Sequence, residues 1–379
     1  MQKGCAKLLP TYGNDGPPAP DEVEVSIFGP GRGESILLHL GEGQWIVVDS
    51  CIDQADGSIP ALVYLDSIGV DPSVAVKLVV GTHAHDDHIA GLARVVQVCS
   101  TATFVCSAAL SKEEFYALAA ADQRVEGLVR HSSYREYRSI FGITRNRGHL
   151  AESRRPLKRA VEELALLDVS LSFGHVKVFA LSPSHEAVTR AQVKLAEHAT
   201  RVGQARQLAS ADPNELAVAL WIEVGSRRIL LGADLLDGPA QCGWQGVLDW
   251  FAPTTKAELF KVPHHGSPNA HWAPVWTDLL IPNPLELLTP FRAGKTPRPA
   301  QADILRLNAL TPRAYIVASP KKVPPPRRIR STAAIIGQLA RDVREPWGKS
   351  GQVRARASVA AGQWEVATFP PARRLSELS

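Results

Sequence analysis

Cysteine is scarce in this sequence and never closely paired. The five (Cys5, Cys51, Cys99, Cys106 and Cys242) are odd in number and contain no C-x-x-C spacing. That excludes a thiolate zinc cluster as the main site and fits a reducing compartment. The sequence also lacks a run of ~20 apolar residues, so no bilayer-spanning helix is expected. Its first residues, "MQKGCAKLLPTYGNDGPPAP", contain no apolar stretch long enough for a signal peptide. A cytoplasmic protein with no membrane partner is the resulting expectation. A strong excess of either charge is missing too, since the net charge is +4. An acidic partner is permitted by this balance and not required by it.

What is present is an ordinary globular balance, 45% hydrophobic and 21% charged over 379 residues, enough for a large α/β core. From Val23 to Asp49 the segments "VEVSIF", "SILLHL" and "WIVVDS" alternate between glycine-rich turns, which predicts antiparallel strands. A helix over "IPALVYLDSIG", a strand "VKLVVGT", one helix over "HIAGLARVVQVC" and a strand "ATFVCS" follow. Residues 111–167 read as helical and arginine-rich. Strands resume at "DVSLSF", "VKVFAL", "LAVALWIEV", "RRILLGAD", "AELFKV", "LELLTPF" and "AYIVAS". A basic, proline-rich loop precedes a hairpin-like pair near the C-terminus. Two runs of strands, each ended by polar residues, predict two packed sheets flanked by helices.

The stretch "THAHDDHIAGL" places three histidines and two aspartates within six residues, His83 to His88, directly after an apolar strand. A core cannot hold such groups unpaired, and a surface loop rarely needs them. His83 and His85, one residue apart, can converge on one ion, while Asp87 and His88 at a helix start can serve a neighbouring one. The competing reading is a satisfied structural cluster. "LLGAD" ends a buried strand with Asp234, whose two oxygens can bridge paired cations. Taken alone, a strand-end aspartate is more often a cap or turn residue. "KVPHHGS" ends another strand with His264 and His265, one of which can orient the other. Asp49, closing "WIVVDS", is a further acidic strand terminus.

In this order, Asp49, "HAHDDH", "GAD" and "HHGS" resemble the metallo-β-lactamase superfamily. Within it, "THAHDDHIAGL", "NELAVALWIEVGSRRILLGAD" and "KVPHHGS" are most similar to the hydrolase domain of ComEC-type competence proteins, over roughly Val23 to Phe291. The resemblance implies a four-layer αβ/βα sandwich, here with a helical Arg-rich insertion at 111–167 and a C-terminal β extension. The domain plan is then an N-terminal extension (1–22), a hydrolase domain (23–318), and a basic loop with C-terminal strands (319–379). Carried over by position, His83 and His85 hold a first ion. Asp87 and His88 hold a second, Asp234 bridges, and one of His264 and His265, with His265 favoured, completes the second site. Asp87 and Asp49 are the expected catalytic carboxylates, Asp49 hydrogen-bonding near the second ion.

Many superfamily members supply a third histidine to the first site. In this sequence the intervening region offers His185 by type, and "PNEL", where Asn214 or Glu215 would stand near the ions. The implied cofactors are two divalent ions, Zn²⁺ first and Mn²⁺ as the alternative that oxygen-rich sites suit. Such a pair supplies hydroxide at neutral pH and stabilises an oxyanion, which suits ester, amide or phosphodiester hydrolysis. For phosphodiesters speak Arg130, Arg135, Arg138, Arg145, Arg147, Arg154 and Arg155, interleaved with aromatics, and the loop from Lys321 to Arg330. A solvated helical face and a proline-rich linker are the competing readings. The expectation is therefore a phosphodiesterase or nuclease acting on a nucleic acid or nucleotide. The alternatives are a lactonase, thioesterase or β-lactamase-like hydrolase of a small carboxylic substrate, and a catalytically weak nucleic-acid-binding relative. His39, His131, His149, His175, His198 and His271 show no ligand spacing, and Trp244, Trp250 and Trp272 read as packing residues.

Overall fold

The computed structural model describes residues 12–13, 15–30, 33–110, 132–148, 156–200, 212–292, 296–321, 350–360 and 362–379. The loop Lys321–Arg330, apart from Lys321, and Arg130, Arg154 and Arg155 lie outside these residues. Among the described residues no helix is long and apolar enough to cross a membrane, and Cys51, Cys99, Cys106 and Cys242 are free and buried.

Two mixed sheets form the centre. In the first, β1 (Glu22–Gly29), β2 (Ser35–His39) and β3 (Trp45–Val48) run antiparallel, as their alternation requires. β4 (Val76–Gly81), β5 (Thr103–Ser107) and β6 (Leu157–Ala160) then continue the sheet parallel to β3. The second sheet repeats the plan. β7 (Ala165–Leu171), β8 (Gly174–Ala180), β9 (Leu220–Val224) and β10 (Arg227–Leu231) are antiparallel. β11 (Ala257–Lys261), β12 (Leu280–Leu288) and β13 (Ala314–Ile316) follow in parallel. The C-terminal strands serve both sheets: β14 (Gly351–Ser358) and β15 (Glu365–Phe369) extend the first beyond β1, and β16 (Arg373–Arg374) edges the second.

Between the sheets lies an apolar layer that includes Val48, Val80, Ile222, Ile229, Leu259 and Leu287. Strand residues of opposite parity face outward onto helices. Trp45, Val79 and Phe104 pack under α1 (Pro60–Ser67), α4 (Leu92–Val98) and α5 (Ser132–Gly148). Trp221, Phe260 and Leu288 pack under α7 (Gly243–Trp250) and α8 (Gln301–Leu310). Parallel strands buried on both faces read as near-continuous apolar runs, which is why "KLVV" and "RILL" carry no alternation. Trp244 is fully buried and meets Phe260 edge-to-face, a packing role.

Two sequence-based expectations change. The single helix after the histidine motif is two, α3 (Asp86–Ile89) and α4, because Gly91 takes φ +81 and breaks the turn. The segment read as helical to residue 167 holds α5, but β6 and the start of β7 lie within it. The short, charged sequence of β6 at a sheet edge carries too little apolar periodicity to announce a strand, and β7 begins three residues before the "DVSLSF" that its alternation marks. Two further α-helices among the described residues are α2 (Pro72–Ala75) and α6 (His185–Thr200).

Candidate metal centre

Parallel strands end at a common edge, so residues that follow β3, β4, β10, β11 and β12 meet there. Asp49 follows β3 and Thr82 and His83 follow β4; Asp234 follows β10, His265 follows β11 and Thr289 follows β12. Backbone strain collects at the same edge. Asp49, Ala233, His264 and His265 all have positive φ, a conformation that costs a non-glycine residue about 1 kcal/mol or more.

Each buried imidazole is fixed by its Nδ1. His88 Nδ1–H donates to Asp49 Oδ2 at 2.7 Å. His265 Nδ1–H donates to the Thr289 carbonyl at 3.1 Å. The Thr82 hydroxyl donates to Asp49 Oδ2 at 2.7 Å and so accepts from His83 Nδ1–H at 3.0 Å. In the neutral rings these bonds put the proton on Nδ1 and leave Nε2 as the acceptor, the state a metal ligand needs. The bare atoms converge: His88 Nε2 lies 3.3 Å and His265 Nε2 3.5 Å from Asp234 Oδ2. Asp87 Oδ2 is 3.3 Å from His265 Nε2, and His83 Nε2 is 3.1 Å from His85 Nδ1. Ligand atoms ~2.0–2.2 Å from one ion stand about 3–3.5 Å apart. Three groups fit a cation by their mutual reach: His83, His88 and Asp234; Asp87, His88 and His265; Glu34, Asp49 and His88.

Buried polar atoms without a hydrogen-bond partner include His88 Nε2 and His265 Nε2. Unpartnered ring nitrogens beside a buried carboxylate are what a cation would satisfy, so the residues present fit divalent ions. Electrostatics carry the same demand. Burial pulls His88 down, but Asp234 and Asp49 outweigh it and hold the imidazole well above its ordinary value. Burial likewise lowers His265, and Asp234 with Asp87 outweighs it. His83 is held well below its ordinary value by burial and the neighbouring His88. For Asp234 burial works upward, yet His88, His265 and Lys261 hold its carboxyl well below the usual carboxylate range.

The sequence candidates are thus sorted by contact. His83, Asp87, His88, Asp234 and His265 come together, with His85 against His83. Asp49 approaches from behind: Oδ1 accepts the Thr82 N–H at 2.8 Å and Oδ2 faces Thr82 and His88, so its direct contacts orient other residues. His264 turns away, its Nδ1 against Asn269 Oδ1 at 3.0 Å and its Nε2 against the Asn214 amide at 3.4 Å. Glu215 pairs with Lys194 at 3.4 Å on the surface. His185 is exposed at the start of α6, where its backbone N–H donates to Glu162. His271 accepts from Trp276 Nε1 at 3.1 Å.

Sequence reasoning missed Thr82, Thr289, Glu34 and Lys261. Lys261 and Glu34 are each 1% exposed and stand 2.7 Å apart. A signal existed for Lys261, which shares the inward-facing parity of Leu259 in an apolar strand just before "PHHGS".

Residues 28–169 match the family described as the metallo-beta-lactamase superfamily. That match and the paired mixed sheets with helices on their outer faces are consistent with a metallo-β-lactamase-type sandwich. No curated protein matches the chain at a significant level. Among solved structures, the metallo-beta-lactamase fold protein YhfI from Bacillus subtilis is 16% identical, with 63% of this chain and 70% of that one covered and a TM-score of 0.30. The metallo-beta-lactamase SMB-1, bound to 2-mercaptoethanesulfonate, is 13% identical over 67% of this chain and 82% of its own, with a TM-score of 0.33. A CmlA beta-hydroxylase mutant is also 13% identical, with 65% of this chain and 36% of that one covered and a TM-score of 0.31. The ligand-type clusters together with the family match support a metal-dependent hydrolase.

Proposed function

We propose that the chain is a two-metal phosphodiesterase that acts on a nucleic acid or nucleotide. His83 and His85 would hold one ion and Asp87, His88 and His265 the other, with Asp234 shared. Zinc suits the imidazole-rich set, and manganese is the alternative. Bound ions would supply Lewis-acid activation of water and of the scissile group. The chain's own part is to present bare Nε2 atoms in a dry, fixed array, through Asp49, Thr82 and Thr289.

The observation that carries the choice of substrate is the position of α5. Its Glu136 carboxylate accepts the Ala93 N–H at 2.8 Å and the Gly91 N–H at 3.3 Å. Tyr137 Oη reaches the His83 carbonyl at 3.5 Å. The helix therefore abuts the histidine loop, and its Arg135 and Arg138, beside those contact residues, are exposed. Exposed guanidinium groups there are available to phosphates. The likeness of "THAHDDHIAGL" and "KVPHHGS" to competence-type hydrolase domains supports the same reading.

The test is cleavage of labelled single- and double-stranded DNA and of bis(p-nitrophenyl) phosphate by metal-loaded protein, with Asp234→Ala as control. Metal-dependent cleavage that the control abolishes is expected. Turnover of a lactone or thioester with every phosphodiester left intact would replace this reading by a carboxylic-substrate hydrolase.

A further inference from the structure

Lys261 is the last residue of β11 and is almost fully buried. Its Nζ lies 2.7 Å from Glu34 Oε1, 2.6 Å from the Ala233 carbonyl and 3.5 Å from Asp234 Oδ1. Glu34 is equally buried and reaches further into the centre. The Thr289 hydroxyl donates to its Oε2, while the Thr289 carbonyl holds His265. Its backbone N–H donates to the Asp87 carbonyl at 2.9 Å. Its Oε1 stands 3.8 Å from His88 Nδ1. The approach is close: a Cβ on Gly33, the preceding residue, would fall 1.5 Å from the Asp87 carbonyl oxygen. One ammonium–carboxylate pair therefore touches or borders Asp234, His265, Asp87 and His88.

A buried ion pair is a poor source of stability, since apolar residues of similar volume are often as good or better. Its placement suggests another use. Asp234 meets Lys261 through Oδ1, whereas His83, His88 and His265 all approach Oδ2. The cluster of Glu34, Asp49 and His88 has cation-binding reach, and Lys261 already gives it a positive charge.

We infer that Lys261 and Glu34 are positioning residues that set how the centre takes its ions, an inference that rests on the two-metal reading above. Lys261 engages Asp234 through Oδ1, so that Oδ2 is the oxygen that would be left to hold ions. It also stands in for a cation at the Glu34, Asp49 and His88 cluster, which limits the centre to two ions. Glu34 holds Lys261 in place and ties it to the supports of His265 and Asp87.

The test compares chelator-stripped wild-type chain with Lys261→Met, Glu34→Gln and the charge-neutral double variant. Each is titrated with Co²⁺ by calorimetry and followed by visible absorption. The wild-type chain is expected to take two ions. Lys261→Met is expected to bind at least one of them ~10–100-fold more weakly, the effect typical of residues that support ligands, with altered Co²⁺ bands as Asp234 gains freedom to chelate. If either single variant fails to fold for want of its partner charge, the double variant carries the test, and the same loss and altered bands are expected of it. Two ions bound with unchanged affinity and bands in the folded Lys261→Met or double variant would overturn this inference alone. A wild-type chain that binds no ion would sink the two-metal reading and this inference with it.

Discussion

Asp49 and His88 share a 2.7 Å hydrogen bond that leaves His88 Nε2 bare and 3.3 Å from Asp234 Oδ2. Asp49 thus determines which nitrogen of a buried imidazole carries the proton without itself facing the gap between the convergent atoms. Asp49→Asn retains the shape but weakens the charge-assisted bond to His88. With the amide oxygen kept on His88 and the Thr82 hydroxyl, the amide NH2 takes the place of Oδ1 and faces the Thr82 N–H, a donor against a donor. Ion affinity is expected to fall ~10–100-fold with little change of fold. Calorimetric titration of stripped protein checks this, and an unchanged affinity would remove Asp49 from the centre.

His264 and His265 are neighbours with opposite surroundings. His265 Nε2 points at Asp87 and Asp234, whereas both ring nitrogens of His264 are engaged by asparagines. His265→Ala is expected to lose one ion per chain, and His264→Ala to keep both with reduced thermal stability. Metal analysis by mass spectrometry separates the two. Equal losses would mean that the pair acts as one unit.

Glu34, Asp49, Asp87 and Asp234 crowd a water-poor edge, and a ligand that binds only the folded chain stabilises it in proportion to its saturation. At about 100 times the dissociation constant, each ion contributes roughly 2.7 kcal/mol. Removal by chelator is expected to lower the melting temperature, and added Zn²⁺ or Mn²⁺ to restore it. A melting temperature indifferent to both would contradict metal binding at this edge.

The legible part of this molecule was what depends on local spacing. The alternation of "VEVSIF", "SILLHL" and "WIVVDS" specified an antiparallel meander, and the spacing of His83 to His88 after an apolar strand specified a convergent group. What the sequence concealed depends on distant partners. Glu34 and Lys261 are 227 positions apart; Glu34 alone looks like a solvated charge, and the inward parity of Lys261 marks it as buried without naming its partner. Their meeting follows from packing the starts and ends of strands from two sheets at one edge. β6 was concealed for the opposite reason, because "LKRA" at a sheet edge has no apolar face to show. Asp49 was legible as a participant, but its position behind His88 is a matter of side-chain direction that spacing does not encode.

Arg135 and Arg138 project from α5 into solvent, while Arg147 donates to the carbonyls of Val96 and Ala102. The same helix therefore carries cations of two kinds. Replacing Arg135 and Arg138 by alanine is expected to weaken DNA binding and reduce its salt dependence by about 1–2 in the log–log slope. Arg147→Ala is expected to lower the melting temperature and leave that slope alone. Fluorescence anisotropy at several salt concentrations measures the slopes. Equal slopes in all three proteins would deprive the nucleic-acid reading of its structural support.

Glu286 on β12 gives a pH dependence with a definite sign. It is fully buried beside the apolar layer under α8, and neither carboxylate oxygen has a hydrogen-bond partner. Burial pushes its carboxyl well above the ordinary 4.5, only partly opposed by Arg306. A carboxyl whose folded value is raised binds its proton more tightly in the native chain than in the unfolded one. Its contribution is therefore intact below about pH 4.5, the unfolded value, and is lost as pH rises from there through the folded value. Glu286→Gln, which stays neutral and keeps the shape, removes that loss. The variant is expected to gain stability over the wild-type chain, and the gain is expected to be larger at pH 8 than at pH 5. Denaturant unfolding at both values reads the difference. A gain that is equal at both, or larger at pH 5, would show that Glu286 finds a charge partner and is ionised in the folded chain.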